Sequence, residues 1–113
     1  MDDCIFCKIV KGEIPAKIVS ESSSILAFRD INPKAKVHVL IIPKKHIESL
    51  SSVENEDLKL ISEMMLEARR IAKQEGIEKS GFRVVINTGS DSGNAVAHIH
   101  LHLLGGNKLG DIA

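Results

Sequence analysis

A chain of 113 residues suits one modest hydrophobic core, so a single domain spanning residues 1–113 is expected. Hydrophobic residues make up 43% and charged residues 27%, which excludes a disordered or low-complexity chain. Fifteen basic and fifteen acidic residues cancel, so nucleic acid and anionic membrane are not expected partners and any phosphate must be held by a local site.

The opening stretch MDDCIFCKIV is acidic, and nowhere do 18 apolar residues run together. Neither a signal peptide nor a membrane span is expected, and the cytoplasm is the expected compartment. There, two cysteines read as reduced thiols, metal ligands or redox groups rather than a structural disulfide.

In chain order, Asp2 or Asp3 can cap a short helix over residues 4–11, closed by Gly12 with Pro15 just beyond. This helix would set Cys4 and Cys7 one turn apart on one face. KIVSE and ILAFRD, separated by the serine run at 22–24, read as a hairpin. After the Asn32-Pro33 bend, VHVLIIP at 37–43 reads as a third strand rich in β-branched residues.

Ser51 or Ser52 can begin a long helix, with the acidic residues of 54–57 at its positive end and Gly76 as its stop. Its apolar residues Leu58, Leu60, Ile61, Met64, Met65, Ala68, Ile71 and Ala72 fill an arc of about 160°, wider than one sheet contact requires. Two explanations stand side by side: a contact with another subunit, or a helix sunk deeply into its own domain. GFRVVINTG at 81–89 is a fourth strand, SDSGNAVA a small-residue loop, and AHIHLHLL at 97–104 a fifth strand. Strands around two helices without βαβ alternation point to an α+β domain with a mainly antiparallel sheet.

The fifth strand carries the strongest chemical signal. In an extended strand His98, His100 and His102 line one face roughly 6.6 Å apart, while Ile99, Leu101 and Leu103 line the other. Each buried imidazole left without a partner would cost about 1 to 3 kcal/mol, so three in a row point to function. The outer pair would sit about 13 Å apart, too far to share one metal, so at most one of the three joins a metal site. Neutral imidazole can instead act as a nucleophile, with its neighbours moving protons. The preceding loop suits a phosphate: Gly89, Gly93 and Asn94 let backbone N–H groups converge on an anion, and Asn87 adds an amide. At the N-terminus, Cys4-x-x-Cys7 admits a redox pair, two inert core thiols or half of a zinc site.

HIHLHLL resembles the histidine triad motif, and IFCKIVKGEIPAKIV, AFRDINPKAKVHVLIIPKKHI and VVINTG are similar to stretches of the Hint branch of the histidine triad (HIT) superfamily. The resemblance implies an α+β homodimer in which two five-stranded sheets join, each chain with one long and one short helix. It implies hydrolysis or transfer at the α-phosphorus of purine nucleoside phosphoramidates and related compounds, with AMP or GMP as product. His100 would be the nucleophile, transiently nucleotidylated; His102 would contact the phosphate and assist proton transfer, with His38 beside it. A nucleoside pocket would be built from Ile5, Phe6, Ile9, Phe28, Ile31 and Leu40, with Asp30 accepting bonds from the ribose. Phosphate contacts would come from Asn87, Gly93 and the backbone around Asn94 and Ala95.

Prokaryotic members of the resembled type carry a zinc ion, which implies here a structural S2N2 site of Cys4, Cys7, His46 and His98. The sequence departs from the eukaryotic pattern in three places: Asn94-Ala95 replaces a Gln-Ser pair, Ala97 replaces an aromatic, and the last residues, GGNKLGDIA, lack a tryptophan-containing tail. Leaving-group preference therefore does not transfer. Two other classes stay open at this point, a nucleotide-binding interaction module and a metal-dependent hydrolase.

Overall fold

The computed structural model describes residues 3–93 and 96–112. The regular elements are α1 (Ile5–Val10), β1 (Ile18–Glu21), β2 (Ile25–Arg29), β3 (Val37–Pro43), α2 (Leu58–Gln74), β4 (Phe82–Ile86) and β5 (Leu101–Gly105). They form one five-stranded sheet in the order β1-β2-β3-β5-β4, antiparallel at every pairing, so the α+β class expected from the element pattern holds.

The side-chain period of two assigns each face its cover. Ile25, Ala27, Val39, Ile41, Leu101 and Leu103 face α2 and pack on Met64, Ala68, Ile71 and Ala72. The alternate residues Leu26, Phe28, Leu40 and Ile42 face the other way and pack on Phe6 of α1. β2 and β3 are buried on both faces, which explains their nearly continuous apolar runs. Leu58 and Met65 of the predicted arc stay 56% and 47% exposed, so the arc is not wholly absorbed by the helix's own sheet.

Local chemistry moves several predicted boundaries. The cap of α1 is neither Asp2, which lies outside the described residues, nor Asp3; it is Cys4, whose Sγ accepts from the Cys7 N–H at 3.3 Å. A thiol fills that place because the same turn must bring both sulfurs together. The long helix starts at Leu58 rather than Ser51 or Ser52. Two short 3-10 turns precede it, and a capping box, in which the Glu54 N–H donates to the Asp57 carboxylate at 3.0 Å, opens the second of them, Asn55–Asp57, which runs directly into α2. Gly76, with φ 74°, follows α2 as the predicted stop. The fourth strand is shorter than 81–89 because Gly81 and Gly89 at its ends both adopt positive φ.

The largest correction concerns the fifth strand, which begins at Leu101 rather than Ala97. Pairing with β3 ends at Ile41↔Leu101, and the next residues of β3 lead to Pro43, which has no N–H to offer. The backbone before Leu101 is used elsewhere: the Ile99 N–H donates to the Ile47 carbonyl at 2.6 Å. His98 and His100 therefore stand on an irregular lead-in, with only His102 on the strand.

Candidate active site

His38 shares the α1-facing side of β3 with Leu40 and Ile42, because Val37, Val39 and Ile41 are taken by the α2 core. β5 turns His102 to that same side, since Leu101 and Leu103 belong to the α2 core, and register sets His102 opposite Leu40. The lead-in adds His98 and His100, which are 0% and 6% exposed, with Phe6 edge-on to both rings. The four histidines are thus collected by one sheet face and one short helix. The His100 and His102 ring centroids lie 5.0 Å apart, closer than a flat strand would hold them.

Backbone groups with only one possible role assign the hydrogens on these rings. The His98 carbonyl lies 2.7 Å from His100 Nδ1 and can only accept, so His100 carries its hydrogen on Nδ1 and, when neutral, presents a lone pair on Nε2. The Lys34 N–H donates to His38 Nδ1 at 3.0 Å, so neutral His38 carries its hydrogen on Nε2. That hydrogen points to His102 Nδ1 at 2.9 Å. His102 accordingly accepts on Nδ1 and keeps its own hydrogen on Nε2.

Asp30 stands at the end of this chain. Its Oδ1 accepts from the Asn32 N–H at 2.8 Å, the Asx-turn bond expected before a proline, and its Oδ2 is 3.4 Å from His38 Nε2. Burial lowers the pKa of His38 below 6.5, opposed by the nearby Asp30 charge. Burial, with repulsion from His100 and His38 added, pushes His102 down to about 4. Both are therefore neutral near pH 7, the state in which a hydrogen can pass between ring nitrogens.

A second cluster lies one residue-pair away. Cys4 Sγ, Cys7 Sγ and His46 Nδ1 surround His98 Nδ1 at 3.3, 3.6 and 3.2 Å, and Cys7 Sγ lies 3.2 Å from His46 Nδ1. A tetrahedral zinc with ligand bonds near 2.3 Å to sulfur and 2.0 to 2.1 Å to nitrogen would set neighbouring S and N about 3.6 Å apart and two N about 3.3 Å apart. The donor set and its spacing therefore fit zinc. His98 Nε2 donates to the Pro43 carbonyl at 2.9 Å, which leaves the Nδ1 lone pair aimed into the cluster. Burial raises the Cys7 thiol pKa, and proximity to Cys4 adds to this, so a cation is what would draw off its proton.

The predicted nucleotide-contacting residues divide between two places. Phe6, Phe28 and Leu40 are buried together, with Ile9 packed against them. Asp30 and Ile31 instead line, with His38, a cleft of about 670 Å³ that Lys17, Arg29 and Lys36 also border. Ile31 is 90% exposed on its rim, and Ile5 is also exposed. Gly93, with φ 86°, closes a short 3-10 turn at Ser90–Ser92, and Asn87 is half-buried just past β4. Asn94 and Ala95 lie outside the described residues. Sequence reading expects a backbone carbonyl behind the nucleophilic imidazole but does not identify it; the carbonyls of His98 and Pro43 and the N–H of Lys34 are what the structure adds.

Fold and site together define a small α+β protein with four histidines on one face of an antiparallel sheet and a Cys2His2 cluster beyond the ends of its inner strands β3 and β5. Residues 11–109 match the model of the HIT domain, and the chain belongs to the HIT family. It is 44% identical over 109 residues to "Purine nucleoside phosphoramidase" of Escherichia coli (strain K12), covering 96% of this chain and 92% of that protein. A crystal structure of a HIT family hydrolase from Legionella pneumophila Philadelphia 1 superposes with a TM-score of 0.93 at 49% identity, covering 96% of both chains. A histidine triad protein from Clostridium difficile superposes with a TM-score of 0.95 at 44% identity, covering 100% of this chain and 98% of that one. The sequence resemblance and the fold are thus established. Among the described residues no helix is long and apolar enough to cross a membrane.

Proposed function

We propose that this protein is a hydrolase of purine nucleoside phosphoramidates or related nucleotidyl compounds, working through a nucleotidyl intermediate on His100. The observation that carries this reading is the 2.7 Å bond from His100 Nδ1 to the His98 carbonyl, which frees Nε2 as a lone-pair donor beside the His38–His102 pair. The phosphoramidase named among the relatives supports the substrate class.

In the first step His100 Nε2 attacks the α-phosphorus, an N–P bond forms, and the bond to the leaving amine breaks as that amine takes a proton delivered through His102. The His98 carbonyl steadies the positive charge that His100 gains. Water then attacks the phosphorus, its proton returns to His102, and the N–P bond to His100 breaks, releasing AMP or GMP. His38 holds His102 in the hydrogen-bonded state this exchange needs. Asp30 receives the ribose hydroxyls at the cleft, Ile5, Phe6, Ile9, Phe28, Ile31 and Leu40 provide the apolar side, and Asn87 with Gly93, Asn94 and Ala95 supplies the phosphate contacts.

Zinc held by Cys4, Cys7, His46 and His98 would serve structurally, pinning α1 to the lead-in that carries the nucleophile. The donor set fills four positions, which leaves none open for substrate. We read the chain as one HIT domain that works as a homodimer, since Leu58 and Met65 of α2 and Phe82 of the edge strand β4 remain exposed. A reducing cytoplasm suits its two free thiols.

Mass spectrometry of acid-sensitive adducts after quenching with adenosine phosphoramidate tests the reading. An AMP group on His100 during turnover is expected; turnover with His100 unmodified overturns it.

A further inference from the structure

The two cysteines of the chain sit one turn apart, Cys4 as the cap of α1 and Cys7 within it. The Cys7 N–H donates to Cys4 Sγ at 3.3 Å, which holds the Cys4 sulfur over the first turn of the helix. Both sulfurs converge on His98 Nδ1, at 3.3 and 3.6 Å, and lie within 4.8 Å of each other. Bringing them into a bond of about 2.05 Å takes side-chain rotation across a single turn of α1 and asks nothing of the sheet.

Their surroundings set an order for such a reaction. Cys4 is half-buried and within reach of a small reagent, whereas Cys7 is buried. A reagent therefore meets Cys4 first, with a second thiol beside it to resolve the product. The two imidazoles of the cluster come from other segments, since His46 follows β3 and His98 precedes β5. The two sulfurs are all that α1 gives to the cluster.

We propose that Cys4 and Cys7 are also an oxidation site: a peroxide closes a disulfide between them, and the closed form cannot hold the metal that the open dithiol holds. The Cys4 thiolate attacks one peroxide oxygen, the O–O bond breaks, hydroxide leaves and Cys4 becomes a sulfenic acid. The Cys7 thiolate then attacks that sulfur, the S–S bond forms, the S–O bond breaks and a second hydroxide leaves. The sulfurs give up two electrons in all, and the peroxide takes them. Closure withdraws two of the four donors together and leaves the bond from His98 Nε2 to the Pro43 carbonyl in place. The zinc reading above supplies the occupant of the open form; the disulfide rests on the two sulfurs alone.

The test treats the zinc-loaded protein with hydrogen peroxide and follows intact mass, non-reducing peptide maps and zinc release to a coloured chelator. A mass lower by two hydrogens, a Cys4–Cys7 disulfide within one chain and zinc released in proportion to it are expected. Reduction with a phosphine should restore zinc binding in full. Cys7→Ser removes the resolving thiol, so dimedone should trap a sulfenic acid on Cys4, an arm that needs no zinc. Sulfinic or sulfonic acids in place of the disulfide, a disulfide between two chains, a disulfide form that keeps its zinc, an unlabelled Cys4 in the variant, or no reaction overturns the proposal. A reduced, untreated protein that takes up no zinc counts instead against the zinc reading, and the disulfide is then still decided by mass.

Discussion

Two histidine clusters share one face of this protein and differ in their partner side chains and in the backbone group behind each ring. Behind His98 stands the Pro43 carbonyl, an acceptor, which takes the Nε2 hydrogen and leaves a lone pair facing two thiols and His46. Behind His38 stands the Lys34 N–H, a donor, which places the ring's hydrogen on Nε2, facing His102 and Asp30. The first arrangement suits a cation and the second suits proton transfer. Asp30, His38 and His102 also bring three ligand atoms within 4.8 Å of one another, yet a metal on His38 Nε2 would push a hydrogen onto Nδ1, against the Lys34 N–H.

The most severe way to separate the clusters is to remove His100, the nucleophile we propose, which lies between them. His100→Ala should lower turnover by roughly 10⁴-fold or more while zinc content stays unchanged. Steady-state kinetics with metal analysis checks this; a variant retaining most of its activity breaks the account.

Next in size is the loss of a thiol. Cys7→Ser should weaken zinc binding by more than about 100-fold and lower the thermal midpoint. Cobalt(II) titration sharpens the contrast, since a single equivalent with thiolate charge-transfer bands is expected in the parent protein. A second tight equivalent lost on Asp30→Asn would show that the other cluster also takes a metal.

His38→Gln should lower kcat by roughly 10- to 100-fold with little change in zinc content, as removal of a proton-handling partner does. Equal loss of zinc and activity in this variant would erase the distinction between the clusters.

The smallest expected effect is on stability against pH. His102 titrates at about 4 in the folded protein, below its ordinary 6.5, so as pH falls the unfolded chain takes up the proton first. Its contribution is complete above pH 6.5 and declines through pH 4, by on the order of 2 to 3 kcal/mol. His38, also depressed by burial, acts in the same direction. Urea denaturation at pH 7 and pH 4.5 measures the fall, and His102→Asn should flatten it; greater stability at the lower pH would contradict it.

The apolar patterns made the sheet legible before the structure. Residues 37–43 were read as a strand to the residue, and the continuous runs of β2 and β3 match burial on both faces. The identities of the cluster residues were legible too, through the Cys-x-x-Cys spacing and the family resemblance. What stayed hidden was the end of β5. Strict alternation of histidine and aliphatic residues through 97–104 predicts a strand, but Pro43 stops the ladder and the Ile99 N–H turns to Ile47. Alternation reports which side a residue faces and is silent on whether its backbone has a partner. The hydrogen-bond states of His38, His98 and His100 were hidden for a similar reason, since backbone groups that any residue could supply assign them.

The most direct test of that assignment is nitrogen-15 NMR of the histidine rings in the protein without nucleotide near pH 7. The account predicts hydrogen on Nε2 of His38 and His98 and on Nδ1 of His100. A His38 ring carrying its hydrogen on Nδ1, or a His100 ring carrying it on Nε2, would contradict it.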